Sequence, residues 1–159
     1  VVALLAGAPG FGAELKIGFV NAAKIVDDAP QAEEARKRIE AEFAPRDRGL
    51  VDMQNTLREA EEKLQSEGAD MSEDERRELE RDVLTQKREL KRAQDEFRED
   101  LNIRRNEEFA KLQRLVADVI TEMAREEKFD LIVNEASVIY ASDRMETTDK
   151  VLERLENLQ

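Results

Sequence analysis

Apolar residues in the longest uninterrupted stretch of the chain fall on one row. Leu79, Leu90, Leu101, Leu112 and Met123 are eleven residues apart, and Val83 and Val116 extend the row four places on. That period is about 3.67 residues per turn, so it predicts a helix whose apolar stripe runs nearly straight or winds slightly right-handed. The stretch, Ser72 to Lys128, holds no Gly and no Pro and is dense in Glu, Arg, Lys, Leu, Ala and Gln. These residues lose least on entering a helix, and nothing among them must break one. Ser72 and Glu75 form an S-x-x-E capping box that marks its start. A single helix of this length spans about 85 Å. No compact domain of this size contains such a rod, so the stretch predicts a long arm.

A second helical pattern precedes it. From about Asp28, apolar residues fall three to four apart at Ala32, Ala35, Ile39 and Phe43. Pro45 is expected to kink or restart this helix. A seven-residue seam then runs Phe43, Leu50, Leu57, Leu64, with Met53 and Ala60 at the alternate positions and Arg46 interrupting. Strict heptads wind left-handed. Gly68 is the expected C-cap, and Gly68 to Ser72 the turn. Helices joined by so short a turn run antiparallel, and the residue numbers of facing positions then add to about 140. Phe43 should meet Phe97, Leu50 meet Leu90, Leu57 meet Val83, and Ile39 meet Leu101. Near the tip Leu64 faces Arg76, so packing there should be weak. Seams of seven and eleven drift out of phase, which predicts a loosely wound, bendable hairpin.

Shorter patterns lie at both ends. Lys16 to Asn21 (KIGFVN) reads as a strand, as do Asp130 to Asn134 and Val138 to Ser142, the last two joined as a hairpin through Glu135, Ala136 and Ser137. Ser142 to Thr148 reads as a polar loop, and Asp149 to Leu158 as an amphipathic helix with Val151, Leu152, Leu155 and Leu158 on one side. Val1 to Ala13 is apolar, uncharged and closes on small residues. It reads as the remnant of an export signal cut between Gly10 and Glu14, too short to span a membrane. The expected organisation is a signal remnant over 1–13 and one domain over 14–159, with a body of 14–30 and 129–159 and a helical arm of 31–128. The fold class is α+β and mostly α: a long antiparallel coiled-coil hairpin arm on a small β-containing body. Three short strands cannot make a stable sheet alone, so the body should complete itself in an oligomer. Ile17, Phe19, Leu131, Val133 and Ile139 are its expected core.

Composition narrows the chemistry. Charged residues make up 40% of the 159 and aromatics 4%, which suits exposed helices better than a large core. The net charge of −12 excludes nucleic acid as a natural partner. With no His and no Cys, Ser-His-Asp and Cys-His nucleophiles and thiolate metal sites are impossible. The four serines sit in turns, strand ends or caps, and no Gly-rich loop follows a strand, so neither an enzyme site nor a cofactor site is read. Glu73, Asp74 and Glu75 read as a solvated face beside Arg76 and Arg77. Lys87, Arg88, Lys91 and Arg92 could meet an anionic client or lipid. Glu80, Asp82, Asp95 and Glu96 lie a turn or two away and favour a self-neutralised face, and contact with a membrane surface stays open. Met53 and Met123 read as seam residues. Met71, at the tip without a seam partner, is the one weak client-contact candidate.

KIGFVN at Lys16 to Asn21, DLIVNEASVIYAS at Asp130 to Ser142 and TDKVLERL at Thr148 to Leu155 together resemble the Skp/OmpH family of periplasmic chaperones. The resemblance covers Leu15 to Leu158. It implies a homotrimer shaped like a jellyfish, whose β-rich body joins three helical hairpins around a cavity. It also implies an ATP-independent holdase that keeps unfolded outer-membrane proteins in that cavity and passes them towards the outer membrane. The chain departs from the best-known members in being acidic, so no lipid-binding residues are carried over. The alternatives are a structural coiled-coil spacer without clients and a cytosolic prefoldin-like chaperone. The leader and the strands at both chain ends argue against the prefoldin-like reading.

Overall fold

The computed structural model of the chain describes residues 14–158. The segment read as an export signal, Val1 to Ala13, lies outside the described residues. The order of elements is β1 (Ile17–Val20), α1 (Ala22–Asp28), α2 (Pro30–Glu67), α3 (Glu73–Glu126), β2 (Leu131–Asn134) and α4 (Thr148–Glu156). Single 3-10 turns at Glu135–Ser137 and Asp143–Met145 link the last two. The chain divides into two compact units. One comprises the described residues up to Ala29 and from Arg114 onwards, and the other Pro30–Gln113.

In the first unit, β1 and β2 pair in parallel, Ile17 with Leu131 through Val20 with Asn134. A parallel pair needs a long crossover, and here the whole helical region supplies it. The other edge of β1 is taken by the segment before α4: Phe19 bridges Glu146, and the Thr147 amide and hydroxyl both donate to the Phe19 carbonyl, at 2.9 and 3.0 Å. The hairpin expected between Asp130–Asn134 and Val138–Ser142 does not form. The Asn134 side chain accepts from the Ala136 amide, and the Val138 amide donates to the Glu135 carbonyl. Those bonds wind a 3-10 turn where the hairpin loop would be. Residues 138–142 have no strand partner among the described residues.

Gly18 belongs to this sheet because of clearance. A Cβ there would lie 2.9 Å from the Phe129 ring and 3.2 Å from the Thr147 methyl. Helix α1, unread in the sequence, is nucleated by Asn21, whose side chain accepts from the Lys24 amide at 2.8 Å. It packs on α4. Ile25, Met123, Val151 and Leu155 are completely buried, as is Thr148, whose hydroxyl accepts from the Asn21 amide. Each such aliphatic side chain contributes about 1.5–3 kcal/mol.

The second unit is a helical hairpin. Helix α2 runs unbroken through Pro45, so the expected restart is absent. The missing amide costs one ladder bond, but the seam holds the helix on both sides of it: Phe43 meets Phe97 edge-on at 5.5 Å, and Leu50 packs into the cluster of Leu57, Val83 and Leu90. Ser72 and Glu75 form the expected capping box, the Ser72 hydroxyl donating to Glu75 at 2.7 Å and accepting from the Glu75 amide at 3.3 Å. Gly68 does not take the left-handed conformation of a glycine cap. Its amide continues the helix to the Leu64 carbonyl, and a Cβ there would run into that carbonyl oxygen. Helix α3 ends on Lys128, at φ 57°, with the Phe129 amide reaching back to the Ala124 carbonyl at 2.8 Å. This is the left-handed terminating turn usually given to glycine.

Candidate client-binding and assembly surfaces

The seam of the hairpin is apolar in the tip half. Leu57, Val83 and Leu90 are buried there, with Leu50, Met53, Ala60 and Leu79 packed around them. Phe43 and Phe97 continue it, and Arg46 lies over both rings at 5.4 and 5.8 Å while reaching Asp100 at 2.8 Å. Arg46, which interrupts the heptads in sequence, thus covers the aromatic pair.

Beyond Arg46 the seam changes character. Glu108 is only 5% exposed. Its carboxylate accepts from Arg38 Nη2 on α2 at 2.8 Å and from Lys111 Nζ at 2.8 Å, and pairs with Arg104 Nη1 at 2.9 Å. Lys111 and Arg38 bonding, with the nearby Arg104 charge, hold the carboxyl down at about 2. Arg104 also donates to Glu42 at 2.9 Å, which raises the guanidinium further. This clasp was invisible in composition, where Glu reads as solvated surface. A signal existed: Glu108 lies four residues before Leu112 and seven after Leu101, on the inward row.

Met71 is half-buried in an open groove of about 480 Å³ at the tip, beside Leu79 and rimmed by Glu67, Asp70, Glu75, Glu78 and Asp82. The basic cluster is largely answered by its neighbours: Lys87 reaches Glu61 at 2.5 Å, Lys91 reaches Asp95 at 3.1 Å, and Arg92 lies 3.9 Å from Glu96. Glu73 holds Arg77 at 3.0 Å. Val51, Leu84, Ile103 and Phe109 stand about half exposed outside the seam.

In the first unit the structure brings together four of the five expected assembly residues as two cross-strand pairs, Ile17 beside Leu131 and Phe19 beside Val133. Ile139 lies apart from them, exposed with Tyr140 in the unpaired segment. Glu127 gathers Lys150 at 2.6 Å and Lys16 at 3.6 Å, and Arg154 reaches Glu126 at 2.6 Å. Lys150 above all keeps the Glu127 carboxyl below the usual range. Among the described residues no group of acidic side chains could hold a metal, and no helix is long and apolar enough to cross a membrane.

The described residues form a long coiled-coil hairpin and a small unit with a two-stranded parallel sheet. The model of the family described as Outer membrane protein (OmpH-like) matches residues 16–155, and the chain belongs to that family. Among its relatives, Chaperone protein Skp of Pectobacterium atrosepticum is 30% identical over 152 residues, covering 96% of this chain and 92% of that one. Chaperone protein Skp of Blochmanniella pennsylvanica is 31% identical over 144 residues, covering 90% and 87%. The fold matches a crystal structure of an OmpH-like protein of Caulobacter crescentus at a TM-score of 0.82 and 12% identity, covering 99% of this chain and 92% of that one.

Proposed function

We propose that this chain is an ATP-independent holdase of the periplasm that keeps unfolded outer-membrane proteins from aggregating. The observation that carries the reading is nearly end-to-end likeness, at 30–31% identity, to relatives named Chaperone protein Skp. The geometry supports it. The deepest apolar positions of the hairpin are spent on holding its two helices together, and Val51, Leu84, Ile103 and Phe109 remain half exposed among charges. Many weak contacts of this kind hold a client without folding it and release it without fuel. Met71 is the tip contact in this proposal.

The active form is a homotrimer joined through the body, residues 14–30 and 129–159, by Ile17, Phe19, Leu131, Val133 and Ile139. The arms, residues 31–128, form the walls. The unpaired segment with exposed Ile139 and Tyr140 supports this, since a strand-like run without a partner favours pairing with another copy. The segment 1–13 serves export.

The test dilutes a urea-unfolded outer-membrane β-barrel protein into buffer and follows light scattering, without nucleotide. The full chain should suppress aggregation. A version with Phe43 to Phe97 replaced by a short turn should still assemble but not protect. Equal aggregation with and without the full chain would leave the structural-spacer reading standing.

A further inference from the structure

The apolar seam of the hairpin repeats, so a second register would keep much of it. Leu50, Leu57 and Leu64 on α2 are spaced by seven, and so are Val83, Leu90 and Phe97 on α3. If α3 slid by seven residues against α2, Leu50 would face Phe97, Leu57 would face Leu90 and Leu64 would face Val83. The turn would lengthen by seven residues taken from the helix ends. Three apolar pairs would form again, while Phe43 would face Arg104 and Ile39 and Leu101 would lose each other.

Charge separates the two registers. Four ion pairs cross between the helices: Glu61 with Lys87 at 2.5 Å, Arg46 with Asp100 at 2.8 Å, Glu42 with Arg104 at 2.9 Å and Arg38 with Glu108 at 2.8 Å. Their spacing is nearly constant along the hairpin, so one slide breaks all four. It would set Lys87 against Gly68, Asp100 against Met53, Arg104 against Gly49 and Glu108 against Pro45. None of these can answer a charge, although on the α2 side Arg46 and Glu42 would come opposite Glu107 and Lys111. The loss is most severe at Glu108, because a nearly buried carboxylate stripped of its partner across the seam is far more costly than an exposed pair undone. We propose that the interhelical ion pairs, above all the buried Glu108 clasp, help select the register of the hairpin against a seven-residue slide that would keep three of its apolar pairs. Buried charge used to fix register, at some cost in stability, has precedent in coiled coils.

The chain has no native cysteine, so two engineered cysteines report register unambiguously. In an otherwise unchanged chain, the L50C/L90C pair should cross-link within one molecule and the L50C/F97C pair should not. In a variant with Glu42→Gln, Glu61→Gln, Asp100→Asn and Glu108→Gln, cross-linking of the second pair should rise at least tenfold, with helicity by circular dichroism largely kept. Should that variant lose its helicity, Glu108→Gln alone should show a smaller rise in the same direction. Raising salt to about 1 M, where screening acts within about 3 Å, should also favour the second pair in the unchanged chain. A second pair that stays silent in the folded amide variants and at high salt would overturn the proposal and assign register to apolar packing.

Discussion

The two units bury their side chains to different depths. In the unit built from both chain ends, Ile25, Met123, Val151 and Leu155 are wholly excluded from solvent. In the hairpin the buried aliphatic seam residues Leu57, Val83, Leu90 and Leu112 keep 7–8% of their surface. The cause is geometric. Side chains in the first unit are enclosed by a sheet and by α1 packed on α4, whereas a side chain between only two helices stays open along both flanks. The hairpin compensates by placing long charged side chains over those flanks. Its integrity therefore depends more on charge, and that of the other unit more on packing.

The largest effect that could break this contrast is a cavity. Leu155→Ala should cost about 3 kcal/mol in urea unfolding, within the range for a wholly buried leucine, and Leu57→Ala in the seam about half as much because the site is open and can collapse. Equal losses would show that the seam is as tightly closed as the other core.

Acid gives the next measure. The Glu108 carboxyl is held well below its ordinary 4.5, at about 2, so the folded hairpin binds fewer protons than the unfolded chain between those values. The stabilisation it provides is present above about 4.5 and is lost as pH falls towards 2. Glu127 titrates in the same direction through Lys150. Thermal melts followed by circular dichroism from pH 6 to pH 2.5 should show the melting temperature falling. Glu108→Gln should flatten that fall more than Glu127→Gln, since Glu108 is the more buried. Equal slopes would sever the link between acid stability and the hairpin clasp.

The smallest effect lies where α3 ends. Lys128 holds the left-handed conformation that a glycine takes without steric cost. Lys128→Gly should therefore raise stability by about 0.5 kcal/mol, after the extra freedom of glycine in the unfolded chain is subtracted. A loss of similar size would mean that the lysine side chain contributes more at this turn than its backbone costs.

Local rules reached far in the hairpin and less far elsewhere. The capping box at Ser72, the tip near residue 70 and the Phe43–Phe97 contact all follow from period and spacing. The clasp did not, because one-sequence reasoning assigns a glutamate to solvent unless its row is traced. Pro45 reads locally as a break, yet packing on both sides carries the helix through it. Helix α1 is only seven residues long, too short for periodicity to register. Val138 to Ser142 has the alternation of a strand, but the 3-10 turn at Glu135–Ser137 stands where the hairpin loop would be, and the segment joins no ladder. Four of the proposed assembly residues were readable as strand positions, and their pairing as neighbours across a parallel sheet was not.

The sequence by itself determined where the long helices run, that they fold back on each other, which residues form the apolar seam and which family the chain resembles. These rest on periodicities of three to eleven residues and on caps, all local. The tertiary structure alone decided that β1 pairs with β2 in parallel across the helical region, that residues 138–142 stay unpaired, and that Glu108 is buried under three cations. Each depends on which distant groups arrive at one place, and a buried charge or a strand edge takes its energy from those neighbours and not from its own segment.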